Sequence, residues 1–366
     1  MRVALVTMMM VLGCGDGPSF DVPALNANAA ALVEASYEEA AAEVDALATA
    51  AADFCTAPTA PGHDALVTRL EATRVAFKHA EVFAFGPYTD SPWRVGPDLD
   101  LWPVEPDRVD AFLGGDEPLT DGEALERVGG KLKGLPALEY LVHGSDVSRP
   151  FVNGDEAAVA FQEDARRCDY LRVAIENLDA RLDDLRAAWS LEGDRYALEL
   201  SAPGSTDREI YDDAFEVGSA LFEQMVFTIE NVQQLKLGKP LGLRTQGRPE
   251  PDSAEARFSE RSALYARETL AGARQLYDGA PDSELGIGDW IASRSETLDA
   301  QIVAAFDAAA EAIEDLEGES LEARVETEPE VVRLAYDRLR TLRRLLAVDA
   351  AGLVAVTVTF NPTDGD

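Results

Sequence analysis

Histidine is scarce in this chain: three among 366 residues, His63, His79 and His143. Catalytic zinc sites commonly use three protein ligands rich in imidazole, and no His-Glu-x-x-His segment occurs. A zinc hydrolase is therefore poorly supplied. Positive charge is short too, with 32 Lys plus Arg against 68 Asp plus Glu and a net charge of -36. Such a surface repels nucleic-acid phosphates and anionic headgroups within a Debye length, which argues against nucleic acid as a partner. What remains is a solvated acidic surface, with attraction of cations as the second reading. The apolar run from Val3 to Leu12 is too short to cross a bilayer. With 46% apolar residues the composition is globular, and the length suffices for two domains, each with its own core.

Cysteine is limited to Cys14, Cys55 and Cys168. The stretch Val11-Leu12-Gly13-Cys14 follows a short apolar run and resembles a bacterial lipobox, in which the cysteine becomes the acylated first residue. Residues 1–24 are thus expected to be a lipoprotein signal and tether, with Cys14 as the lipidation site. The alternative is a buried N-terminal helix with an incidental cysteine. A lipid there places the protein in the bacterial cell envelope, periplasmic or surface-exposed, touching membrane through its anchor alone. Cys55 and Cys168 then sit in an oxidising compartment where disulfides persist, and a bridge between them would tie together distant parts of the first half.

Helical periodicity dominates the remainder. Val33, Tyr37, Ala40, Val44, Leu47, Ala51 and Phe54 form one apolar stripe that ends at the Pro58 and Pro61 break. Asp64 is the expected cap of a second helix reaching Phe85, with His63 in the surface loop before it. The segment from Gly86 to Gly122 is rich in Pro, Gly and acids, too long for an ordinary bundle connection, and its Trp93 and Trp102 favour an ordered loop. A short helix over Gly122 to Val128 follows. A further stripe runs Phe161, Ala165, Cys168, Leu171, Ile175, Leu178, Leu182, Leu185 and Trp189. Cys168 lies on its core face and Cys55 adjoins the last core residue of the first helix, so a bridge between those helices is physically reasonable. The second half repeats the plan: a stripe from Tyr211 to Val232 stopped by Gly238 and Pro240, then helices over Phe258 to Tyr277, Asp289 to Leu316 and Glu330 to Ala351. The expected fold is all-α, two four-helix-bundle-like halves packed together over 25–190 and 191–366. "VAVTVTF" near the end could add a minor strand.

Eight segments taken together resemble the imelysin-like proteins of peptidase group M75: "FCTAP", "ATRVAFKHAEVFAFGP", "LDLWP", "GLPALEYLVHG", "RRCDYL", "LKLGKPLG", "EARFSERSALYARETLAGARQLYDG" and the terminal "FNPTDGD". The resemblance implies an exported, often lipid-anchored helical protein of two related halves. It also implies kinship with proteins described as insulin-cleaving metallopeptidases, as iron-regulated surface proteins and as relatives of periplasmic iron-uptake components, and a site expected where the two halves meet.

The family's Gly-x-His-x-x-Glu segment reads here Gly134-Leu-Pro136-Ala-Leu-Glu139. Proline offers no side-chain donor to a metal, so the expected ligand is missing, while its fixed φ suits a first helical turn. His143 shares a helical face with Glu139 but falls at the helix end, where an imidazole is commonly a cap. His79 and Glu81 point to opposite sides of a helix, whereas Arg74 and Glu81 share a stripe and form either an ion pair or part of the cleft. Carboxylates suit hard ions, and Glu139 and Glu81 are the metal-ligand candidates, with Glu255 beside them. Arg74, Trp102, Gly134 and Ser259 complete the expected cleft, Ser259 more as a helix-capping hydroxyl than as a nucleophile. Asp364 and Asp366 are read as a solvated tail. No catalytic residue is assigned. The expected function is a non-peptidase envelope protein that binds a ligand or metal species, iron or another divalent or trivalent ion, in metal acquisition. A rearranged M75-type metallopeptidase, or a structural module docking another envelope protein, are the competing readings.

Overall fold

Asp21 and Pro23 open the first long helix. The aspartate accepts from Ala24 N–H, and the proline sits in the first turn, where its missing N–H goes unneeded. The computed structural model describes residues 20–146, 148–190, 193–208, 210–279 and 285–358; Cys14, the rest of the expected signal up to residue 19, and Asp364 with Asp366 lie outside them. Eight helices carry the architecture among the described residues. They are α1 (Val22–Thr56), α2 (Ala60–Ala80), α3 (Gly134–His143), α4 (Ala165–Trp189), α5 (Ala214–Asn231), α6 (Ser262–Asp278), α7 (Glu296–Glu314) and α8 (Pro329–Arg344). The fold is all-α apart from one small antiparallel hairpin, Gly144–Asp146 with Arg149–Pro150.

All seven apolar residues of the α1 stripe are buried. The α2 boundary differs from the expected one. Thr59, not Asp64, caps the helix, because Pro61 acts as a first-turn residue and not as a breaker, so the helix starts before His63. His63 is therefore buried, its Nε2 2.9 Å from the Val142 carbonyl oxygen, and is not a loop-surface residue. The helix stops at Ala80, and Glu81–Phe83 form a 3-10 turn short of Phe85. The stripe around Cys168 is also divided: Asp164 caps α4 through Arg166 N–H, leaving Phe161 on the preceding helix Gly154–Glu163.

The long acidic stretch is ordered. Short helices Gly96–Leu99 and Pro106–Leu113 are tacked down by buried Val95, Leu99, Val109 and Leu113. Gly122–Leu125 is a 3-10 turn in place of a helix. In the second half, α5 runs into a π-helical stretch, Val232–Gly238, and Asp289 to Leu316 is split into Ile287–Ala292 and α7 by the Ser295 cap. Val354 closes a last helical turn, and Val356 to Val358 form no strand, no strand among the described residues pairing with them.

In the first half α1 packs on α2 and α4, and α3 packs on α2 and α4; in the second, α6 packs on α5 and α7, and α7 on α8. Across the halves α1 meets α5 and α2 meets α6. A disulfide joins Cys55 at the end of α1 to Cys168 at the start of α4, with Cα atoms 5.6 Å apart. Among the described residues no helix is long and apolar enough to cross a membrane.

Candidate functional site

One face of α2 carries Arg74 and Lys78, four residues apart, and the turn after the helix carries Glu81. Where α2 faces α6, these groups meet Glu139 of α3, Glu255 in the loop before α6, Lys236 in the π-helical stretch, and Asp100 in the ordered acidic arm. Three cations thus face four carboxylates in a largely buried setting. Arg74 lies between Glu139 at 3.3 Å and Glu255 at 3.6 Å, with Tyr265 stacked under its guanidinium at 4.4 Å. Lys78 contacts Asp100, Glu255 and, at 3.2 Å, Glu81. Lys236 reaches Glu81 at 3.0 Å and Glu255 at 2.7 Å, and its ammonium lies 5.5 Å from the centre of the Trp102 ring. Thr269 donates to Glu81.

The electrostatics follow from this mutual compensation. Burial opposes charge on Arg74, but Tyr265, Glu139, Asp100 and Glu255 outweigh it and raise its pKa. Lys78 behaves alike: burial opposes its charge, and Asp100, Glu255 and Glu81 hold the pKa well above the ordinary lysine value. For Glu81 and Glu255 burial pushes upward, yet Lys236 and Lys78 prevail and both pKa values fall. Glu139 differs, its pKa raised by burial that Arg74 and two peptide donors only partly offset. Those donors are Phe258 N–H at 3.1 Å and Ser259 N–H at 2.7 Å. Glu139 therefore pins the loop carrying Glu255 to α3.

The expected site residues fall into three groups. Arg74, Glu81, Glu139 and Glu255 converge, but Arg74 pairs with Glu139 and Glu255 while Lys78 and Lys236 take Glu81. Trp102 covers Lys236. Ser259 joins through its peptide N–H, and its hydroxyl donates to the Ala256 carbonyl in a turn ahead of α6, so it caps no helix. Gly134 sits outside the ion network with φ +71°, and a Cβ there would stand 2.4 Å from the Leu99 carbonyl oxygen. It lets α3 start against the arm that presents Asp100. Gly134→Ala is expected to lower stability by about 2 kcal/mol, through a strained backbone and a displaced arm, read as a lower Tm with wild-type far-UV circular dichroism.

Asp100, Lys78 and Lys236 were not among the sequence candidates. Two signals existed: Lys78 lies four residues after Arg74 and three before Glu81, and Asp100 and Lys236 lie inside the quoted segments "LDLWP" and "LKLGKPLG".

The histidines take other parts. His79 pairs with Glu268 at 2.6 Å, which raises its pKa. His143 ends α3, and burial, aided by His63, Arg74 and Arg261, lowers its pKa to about 3, so it is a neutral imidazole at physiological pH. Among the described residues, the group of three or more potential ligands with donor atoms within 4.8 Å of one another is Glu81, Asp100 and Glu255. Glu139 is not part of it. The all-oxygen set suits a hard cation, but two of its three members accept from Lys236 and all three contact Lys78. A resident metal does not fit without moving a lysine, and no step through one is derived.

Glu322 stands beside this loop. It accepts from the Ser262 hydroxyl at 2.6 Å, and that hydroxyl in turn accepts from Ala256 N–H. Burial lifts the Glu322 pKa to about 7 against its ordinary 4.5. A carboxyl with raised folded-state pKa contributes stability fully below 4.5, and loses it as pH rises through about 7. Glu322→Gln is expected to raise stability at pH 8 by about 2 kcal/mol and leave it nearly unchanged at pH 4. Thermal melts of both proteins across that range check this; parallel curves contradict it.

The family model described as Imelysin, peptidase group M75, matches residues 33–346. A solved imelysin-like protein from Psychrobacter arcticum superposes with TM-score 0.73 at 21% identity, covering 93% of this chain and 99% of that one. A second structure, from Parabacteroides distasonis and provisionally described as an iron-regulated protein A precursor, gives TM-score 0.71 at 17% identity, covering 92% and 97%. No curated protein matches the chain.

Proposed function

This chain belongs to the imelysin family, and from that premise we propose that it is an envelope-anchored, non-hydrolytic binding protein. Its cargo is a ligand or metal-bearing species, iron being the leading case, taken up between the two helical halves. The observation that carries the reading is the donor set: oxygen ligands only, already paired with Arg74, Lys78 and Lys236; the resemblance, which leads one to expect an imidazole at position 136, adds that Pro136 stands there. Hydrolysis by a metal-bound water needs an open coordination position held by dedicated ligands. Exchange of an ammonium for a cationic cargo needs only a carboxylate edge. Glu81, with 19% of its side chain exposed, supplies that edge, and half-buried Trp102 lies over the neighbouring Lys236. The iron-regulated neighbour supports iron as cargo, the lipobox-like stretch at Cys14 supports the anchor, and the disulfide supports an oxidising compartment.

A form lacking residues 1–19, titrated with iron and zinc salts by calorimetry, is expected to bind iron with a micromolar or tighter dissociation constant. Glu81→Gln is expected to weaken that about tenfold, by roughly 1.4 kcal/mol. No saturable heat at micromolar metal removes the metal cargo. Incubation with an unfolded protein substrate is expected to give no chelator-sensitive cleavage. Cleavage that Glu139→Gln abolishes would instead establish the metallopeptidase reading.

A further inference from the structure

We propose that the cleft between α1 and α4 is a second binding site, one for a small amphiphilic cation. Its apolar body would lie along Val44, Ala48, Ala51 and Ile175, and its positive head would face Asp45 and Asp179. The cleft holds about 500 Å³, within the range of small-ligand sites. Its walls are two matched helical stripes: Val44, Ala48, Ala51 and Cys55 on α1, and Cys168, Arg172, Ile175 and Asp179 on α4, each spaced four, three, four. Because Cys55 is bonded to Cys168 and the stripes run in opposite directions, the disulfide closes one end and Asp45 with Asp179 mark the other. The rise from Val44 to Cys55 makes the cleft about 16 Å long, enough for an extended alkyl or aryl body.

Small side chains on α1 leave the space, and the disulfide fixes the helix separation at one end, so the volume is part of the packing. The charge distribution selects the ligand. Arg172 is engaged by Glu176 and by the Leu119 and Thr120 carbonyls. No hydrogen bond or ion pair involves the Asp45 or Asp179 carboxylates among the described residues, and Asp179 has its pKa raised by burial and by Asp183 and Asp45, which outweigh the opposing Arg186, itself held by Glu38 and Asp183. A half-buried carboxylate held next to two others gains from an incoming cation, while an anion or a neutral body gains nothing there. The lining residues include no member of the ion network around Glu255, so the two sites can be tested separately.

The test uses octyltrimethylammonium and 1-octanol as probes, titrated into the form lacking residues 1–19 and followed by calorimetry or ligand-observed NMR. Saturable binding of the cation below 1 mM is expected on the order of the affinity an apolar body of that size achieves, with octanol at least tenfold weaker. Asp45→Asn/Asp179→Asn is expected to weaken the cation at least tenfold without lowering Tm, since it relieves like-charge repulsion. Ala52→Phe, at an exposed wall position, is expected to block binding. Equal affinity for the two probes, unchanged affinity in the double aspartate variant, or no saturation below 1 mM would each overturn the proposal.

Discussion

Replacing Arg74 with methionine is expected to lower stability by about 3–5 kcal/mol, one of the two largest effects of any single perturbation considered for this molecule. Methionine matches the arginine stem in apolar bulk, so little of the loss comes from packing. What it removes is the charge between Glu139 and Glu255, both fully buried. Glu255 retains Lys78 and Lys236, and Glu139 retains two peptide donors but no cation. The cost therefore concentrates on Glu139. Two consequences distinguish this from a generic core defect. The deficit should shrink as pH falls and Glu139 takes up a proton, its pKa already raised by burial. Glu139→Gln in the Arg74→Met background should recover at least about 1 kcal/mol, because the amide oxygen can still accept from Phe258 and Ser259 N–H groups. Denaturant melts of the four proteins in this cycle measure the coupling. Strict additivity of the two substitutions would mean that Arg74 and Glu139 do not act as a pair.

How far the sequence discloses this arrangement depends on the range of the interaction. The α1 stripe is legible because each apolar residue buries its side chain through a period set by the helix itself. Pro136 is legible for the same reason, as a first-turn residue whose ring cannot bind metal. His63 is misplaced by local reasoning, since a proline can break a helix or begin one, and Thr59 decides which. The ion network shows the limit more sharply. Glu81, Glu139 and Glu255 stand out through their segments, but Lys78, Lys236 and Asp100 look like ordinary surface charges in a chain this polar. Their burial arises only when the turn after α2 meets the π-helical stretch and α2 meets the acidic arm, Glu81 and Lys236 being 155 positions apart along the chain. No periodicity encodes a contact of that separation. The missing lysines also reverse the reading of the carboxylates. Without them the acids suggest a vacant cation site, and with them a compensated one.

Removing the Cys55–Cys168 bridge by a double alanine substitution is expected to cost about 3–5 kcal/mol, the magnitude that loop-closure entropy assigns to a long cross-link. The bridge spans 113 residues and holds the end of α1 to the start of α4, so breaking it frees nearly the whole first half in the unfolded chain. The folded state changes little by comparison, because Leu171, Ile175, Leu178 and Phe54 remain buried on either side. For a chain of this size the loss corresponds to a fall in Tm on the order of 5 °C. Reducing agent should bring the wild type to the Tm of the double variant and leave the variant itself unmoved. The same comparison bears on the proposed alkyl-cation cleft, whose closed end is the disulfide: reduction should weaken octyltrimethylammonium while leaving untouched any metal binding of the kind proposed near Glu81. A wild type whose melt ignores reductant would mean that helix packing alone fixes α1 against α4. The argument from cysteine pairing to an oxidising compartment would then lose its support, since a cross-link that stabilises nothing gives no reason to fold where thiols oxidise.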